Sequence, residues 1–123
     1  GNLINPQTAM GQLTGGSIMS FGFGMMEQVL IDPKTGRVLN DTLLDYKIPT
    51  FADVPDIDAQ FIHTYDPAGA YGNKALGEPP NITPAAAIHN AVYDAIGVNI
   101  PTNPLTPERV YEAIASAKQG KEA

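Results

Sequence analysis

The sequence contains no cysteine. Disulfides, thiolate nucleophiles and cysteine-ligated iron–sulfur clusters are therefore excluded from this chain, and the absence fits a cytoplasmic protein. Cations are scarce as well: 7 Lys and Arg stand against 13 Asp and Glu, for a net charge of −6. With no basic stripe to neutralise phosphates, nucleic acid is disfavoured as a partner. No apolar run is long enough for a membrane span, and no signal-peptide pattern is read at the start. No Walker-type loop, Gly-x-Ser-x-Gly elbow or dinucleotide fingerprint occurs.

What is present is irregular backbone. The chain has 11 prolines and 12 glycines in 123 residues, and its length suits a single domain with a modest core. Asn5-Pro6 reads as a helix start, with Asn5 as cap and Pro6 in the first helical position. The pattern predicts a helix to about Leu30, although Gly11, Gly15, Gly16, Gly22 and Gly24 fall inside it. Each costs about 1 kcal/mol relative to alanine. Such a helix needs another backbone or a ligand very close to it. Its apolar residues surround the axis, so burial on most sides is expected.

Val29-Leu30-Ile31 and Val38-Leu39 flank Asp32-Pro33-Lys34-Thr35-Gly36-Arg37, the signature of a hairpin. Ile57 to Tyr65 alternates in polarity as a strand does. Thr83-Pro84 opens a second helix to about Ile96, stopped by Gly97. Thr106-Pro107-Glu108 opens a third to about Lys118, and residues 118–123 form a polar tail expected to fray. The order predicts an α+β fold: a glycine-rich N-terminal helix, a small antiparallel sheet with a hairpin, and two C-terminal helices.

The stretch Gly72-Asn73-Lys74-Ala75-Leu76-Gly77-Glu78-Pro79-Pro80 presents one carboxylate between glycine and paired prolines. It predicts a loop of fixed shape, and loops of that kind carry function. A lone glutamate in such a loop is ordinarily a solvated side chain. Other candidates are weaker. His63 on the alternating segment reads as part of a core or interface face and His89 in the alanine-rich helix as a packed or surface residue, and no carboxylate lies at metal-ligand spacing. Asp53, Asp56 and Asp58 lack the spacing and closing glutamate of a calcium loop. Gly15-Gly16-Ser17 falls inside a helix, where it cannot cradle a phosphate. No metal ligand is assigned.

Taken in order, several segments resemble one family. They are Ile4-Asn5-Pro6, Gly11-Gln12 with Gly15, Gly22 with Glu27, Asp45-Tyr46-Lys47-Ile48-Pro49, Lys74 with Gly77-Glu78-Pro79-Pro80, Ala85-Ala86-Ala87-Ile88 with Asn90-Ala91, and Pro104-Leu105-Thr106-Pro107-Glu108. From about Leu3 to Ile114 the chain is similar to the C-terminal part of the molybdenum-binding subunit of the xanthine dehydrogenase/aldehyde oxidase family of molybdenum hydroxylases.

That resemblance implies hydroxylation of an aldehyde or N-heterocycle carbon, such as that of a purine, with water as the oxygen source. It implies Glu78 as the general base, since the glutamate of the Gly-Glu-Pro-Pro motif takes the proton of the attacking hydroxyl. It implies that Gln12 contacts the pterin beside the molybdenum, and that Lys74 is structural. The implied cofactor is molybdopterin with molybdenum, in the cytosine dinucleotide form. Iron–sulfur and flavin centres would lie in other domains or subunits, and the other cofactor-binding segments upstream of Gly1. The isolated chain is then expected to be inactive and to self-associate through its uncovered helix. Many relatives have Gln-Gly where this chain has Met19-Ser20, which removes a polar contact near the cofactor, and an acidic pair where it has Glu27-Gln28. The alternatives are a non-catalytic assembly module or inactive paralogue of the same family, and an unrelated small binding domain with a solvated Gly-Glu-Pro-Pro loop.

Overall fold

A computed structural model describes residues 1–119. Its α-helices are α1 (Pro6–Met25), α2 (Pro79–Ile82), α3 (Pro84–Ile96) and α4 (Pro107–Gln119), with a short 3₁₀ turn at Ala70–Gly72. Asn5 caps α1 as its sequence position predicts: the side chain accepts from the Thr8 N–H at 3.1 Å. The helix stops earlier than Leu30. The Gly22 carbonyl accepts both Met26 N–H at 2.9 Å and Glu27 N–H at 2.8 Å, and the chain turns away. At the end of α3, Gly97 takes the left-handed φ of 68°, and its N–H closes on Tyr93 O at 2.7 Å. Lys118 and Gln119 are the last helical residues of α4, so the tail beyond them lies outside the described residues.

The expected α+β fold is corrected. Among the described residues there is no strand and no sheet, only an isolated antiparallel bridge between Ile31 and Val38. The turn residues act locally: Asp32 O accepts Gly36 N–H, and Leu39 N–H reaches Leu30 O, both at 2.8 Å. Asn40 seals the base of this loop, accepting from Leu30 N–H at 2.8 Å and donating to Gln28 O at 2.7 Å. No third segment pairs alongside it. Burial alternates only from Ile57 to Ile62: Ile57, Ala59 and Phe61 are half-buried and Asp58, Gln60 and Ile62 exposed, but His63 and Tyr65 are exposed as well. The period of side-chain burial from Ile57 to Ile62 is therefore strand-like. A strand also needs a neighbour for its N–H and C=O groups, and none is present among the described residues.

Burial on most sides of α1 is corrected too. The helix buries its small residues, Ala9, Gly16, Ser20, Gly22 and Gly24. None of its large apolar residues is fully buried: Leu13, Ile18, Phe21 and Met25 are half-buried, while Met19 is 61% and Phe23 55% exposed. The small face packs on α2 and α3. A Cβ on Gly16 would stand 2.8 Å from Pro80 Cβ, and one on Gly24 would meet Ala85 at 3.4 Å. The glycines thus let neighbouring backbone approach closely, as the helix's poor intrinsic propensity requires. Ser20, almost fully buried, accepts the Ala85 N–H at 3.0 Å and ties the start of α3 to α1. Thr83, at the N-cap position of α3, makes no side-chain capping bond, so Ser20 from another helix satisfies a donor that Thr83 leaves open. Leu105 fixes the far end, fully buried with its N–H on Gly24 O at 2.7 Å.

Two glycines of α1 should respond oppositely to substitution. Gly16→Val forces atoms into Pro80 and should destabilise by about 1–3 kcal/mol. At Gly11 an added Cβ meets nothing within 4 Å, so Gly11→Ala should stabilise by up to about 1 kcal/mol. Denaturant midpoints of the two variants against the parent chain check this.

Candidate functional site

Gln12 and Glu78 are 66 positions apart in sequence, and the fold brings them into one locality. The Gln12 amide Nε2 donates to the carbonyl of Gly77 at 2.6 Å, the residue directly before Glu78. A carbonyl only accepts, so this bond orients the amide: nitrogen towards Gly77, with Oε1 not engaged by that bond. One turn later on the same helix, Gly16 receives Pro80. Residues 12 and 16 are i and i+4, so both contacts issue from one face of α1. Together they bracket Glu78 at Gly77 and Pro80.

The loop departs from its sequence expectation in one respect. Pro79 and Pro80 open a short helix, α2, with Glu78 at its N-cap position. Both prolines tolerate this because the first turn of a helix needs no N–H from them. Glu78 O accepts Asn81 N–H at 2.8 Å, but its side chain makes no capping bond. The carboxylate is therefore exposed and unspent on its own helix.

Upstream, the chain is stitched back to its start. Asn2 N–H donates to Gly72 O at 3.0 Å and Asn2 Nδ2 to Tyr71 O at 2.8 Å. An open groove of about 470 Å³ lies between the start of α1 and residues 73–77, lined by Asn5, Thr8, Gln12, Lys74 and Gly77 among others. Beside Gln12 the helix is bare: Cβ atoms at Gly11 and Gly15 would meet nothing within 4 Å. A groove, an oriented amide oxygen and two uncovered glycines suit a flat ligand with hydrogen-bonding edges, so the residues present fit a pterin.

The remaining candidates fall elsewhere. His89 bonds through its ring to the Asn103 side chain, and His63 is exposed rather than packed on a core face. Asp53 is held by the Thr50 hydroxyl at 2.6 Å and the Thr50 N–H at 2.9 Å, which lower its pKa. It is a turn-forming residue. No group of three potential metal ligands occurs among the described residues.

The comparisons with known proteins converge. A model of the molybdopterin cofactor-binding domain matches residues 1–55. The chain is 51% identical over 112 residues to the putative xanthine dehydrogenase molybdenum-binding subunit XdhA of Escherichia coli K12, covering 91% of this chain and 15% of that protein. It is 31% identical over 115 residues to the aldehyde oxidoreductase molybdenum-binding subunit PaoC of the same strain, covering 93% of this chain and 16% of PaoC. Among solved structures it matches quinoline 2-oxidoreductase from Pseudomonas putida 86 with a TM-score of 0.83 at 38% identity, over 94% of this chain and 15% of that one. The chain belongs to the xanthine dehydrogenase/aldehyde oxidase family of molybdenum hydroxylases.

For this molybdenum hydroxylase chain, sequence reasoning missed the contacts that hold the site. Ser20 stood out only as a departure from the family pattern, and its role depends on Ala85 being close. Glu27 and Tyr46 were both in the family motifs, yet nothing in their spacing paired them. The Tyr46 hydroxyl donates to Glu27 Oε2 at 2.7 Å, and both residues are half-buried. The Glu27 carboxylate and Pro49 both press on Gly22, where a Cβ would have no room. This clasp closes the connector against the C-terminal end of α1.

The hydrogen bond to Glu27, then burial, then the carboxylate's charge push the Tyr46 pKa up. A folded-state pKa above the unfolded value of about 10 means the clasp's stability is complete below pH 10. It is lost as pH rises through the folded pKa. Tyr46→Phe should therefore flatten the alkaline part of a stability–pH curve. Denaturant midpoints between pH 8 and about 12 check it.

Proposed function

We propose that this chain supplies the catalytic base to a molybdenum hydroxylase acting on an aldehyde or N-heterocycle carbon. The observation that carries the reading is the unspent, exposed Glu78 carboxylate, bracketed by two contacts from one face of α1. When bound, the molybdenum cofactor supplies the redox chemistry that turns a C–H into a C–OH with oxygen from water. Glu78 would accept, at a carboxylate oxygen, the proton of the water-derived hydroxyl, whose own oxygen is thereby made nucleophilic. Its position matters as much as its acidity, because a base acts only within hydrogen-bond reach of the proton it takes.

Gln12 would hold the pterin: its Oε1 would be available to accept from a ligand N–H while Nε2 donates to Gly77 O. Overall the reaction releases two electrons and two protons per substrate. The electrons must leave for centres that cysteine-free residues cannot ligate, so iron–sulfur and flavin domains or subunits are the partners of this reading. Names of relatives agree with multi-subunit assembly, among them the gamma subunit of the 6-hydroxypseudooxynicotine dehydrogenase complex of Paenarthrobacter nicotinovorans, 32% identical over 114 residues.

The chain spans about 15% of the length of its relatives, and much of its apolar surface is uncovered: Phe51, Leu43, Leu44 and Ile62 are at least 80% exposed. Patches of this kind mark interfaces. The remainder of a molybdenum subunit is their occupant in this reading, the cofactor is the cytosine dinucleotide form, and the compartment is the cytoplasm. No helix among the described residues is long and apolar enough to cross a membrane.

Glu78→Gln in the cofactor-loaded enzyme keeps the side chain's shape and removes its basicity. Turnover should fall by about 10²–10⁴-fold with molybdenum content unchanged. Steady-state kinetics with metal analysis decides it, and wild-type turnover would favour an assembly role over catalysis.

A further inference from the structure

We infer that Gln12 is a positioning residue for Glu78, in addition to any contact with the cofactor. This rests on the base reading above. The argument begins with the loop's freedom. Glu78 is exposed, and its side chain has no capping bond. Pro79 and Pro80 stiffen the chain only on the C-terminal side of the carboxylate. On the N-terminal side stands Gly77, where a Cβ would meet nothing within 4 Å and where backbone torsions are the least restricted of any residue. Unheld, that glycine would let the carboxylate swing.

The Gln12 amide removes this freedom. Its Nε2 lies 2.6 Å from Gly77 O, and the partner of that bond is backbone, so the peptide joining Gly77 to Glu78 is fixed directly. Gln12 itself is set by α1, whose face is pinned to α2 four residues later through Gly16 and Pro80. The chain of constraint runs from the helix pair, through one amide, to the peptide that carries the base. A ligand bound at Gln12 Oε1 would stiffen the same amide. Occupancy of the pterin site and placement of the base are then coupled through a single side chain.

Gln12→Met matches the length of Gln12 and cannot donate. Gln12→Glu keeps an acceptor for the cofactor and, ionised, cannot donate to a carbonyl. Position 12 is exposed on α1, and both residues are good helix formers, so neither threatens the helix. In the holoenzyme both variants should show faster amide hydrogen exchange at Gly77, Glu78 and Asn81, the residues of the stretch 77–81 that carry an N–H. In both, kcat should fall by about 10²-fold, the scale of a small misplacement of a reacting group, with KM unchanged. Molybdenum content should be retained in Gln12→Glu. Exchange at the wild-type rate in both variants overturns the inference, whatever turnover does. So does loss of molybdenum from Gln12→Glu with loop exchange unchanged, since Gln12 would then serve the cofactor alone. Full activity of Glu78→Gln is a separate failure, that of the base reading, and the exchange measurement still decides the loop.

Discussion

The close approach of α1 to α2 is the constraint on which the site depends. It exists because Gly16 has no side chain. Pro80 sits where a Cβ would be, and that contact sets the distance between the helices. From that distance a glutamine one turn earlier reaches Gly77 at 2.6 Å. A residue with a side chain at position 16 would push α2 away and take Gly77 out of reach of Gln12. The cost of Gly16, Gly22 and Gly24 to the helix in isolation is thus offset by packing, whereas Gly11 and Gly15 meet nothing within 4 Å. Ser20 and Gly24 extend the same face to α3, through the Ala85 N–H and the Ala85 side chain.

The family and the starts of α1, α3 and α4 were legible in the sequence, the helix starts for physical reasons. Asn5, Pro6, Pro84, Gly97 and Pro107 act on their own backbone, so a reader needs no knowledge of the rest of the molecule. The expected sheet was a misreading, because the signals for it were half-signals. Alternation from Ile57 to Phe61 describes which side chains turn inward, and they do. Whether the backbone finds a partner is decided by other segments. The turn at Asp32–Arg37 closes as its residues dictate, but one bridge between Ile31 and Val38 is all that follows it.

Glu78 and Gln12 were singled out by resemblance, and local physics alone would not have named them. Glu78 alone is a glutamate in a proline-rich loop, and Gln12 alone is a polar residue on a helix. Their relation appears only when the fold joins them across the Gly77 peptide. The same holds for Glu27 with Tyr46 and for Ser20 with Ala85. In each case an ordinary polar residue acquires its role from a partner distant in sequence. Burial of α1 was misjudged for a related reason. Its apolar residues do surround the axis, but the chain fully buries only small residues and leaves the large ones half-buried or exposed.

The most direct test of the account is an experimental structure of the cofactor-loaded enzyme. The account predicts the Glu78 carboxylate within hydrogen-bond reach of the molybdenum's ligand sphere, about 2.6–3.2 Å between heavy atoms, with Gln12 Nε2 still on Gly77 O. A Glu78 side chain directed into bulk solvent, with the Gln12–Gly77 bond broken, would contradict it.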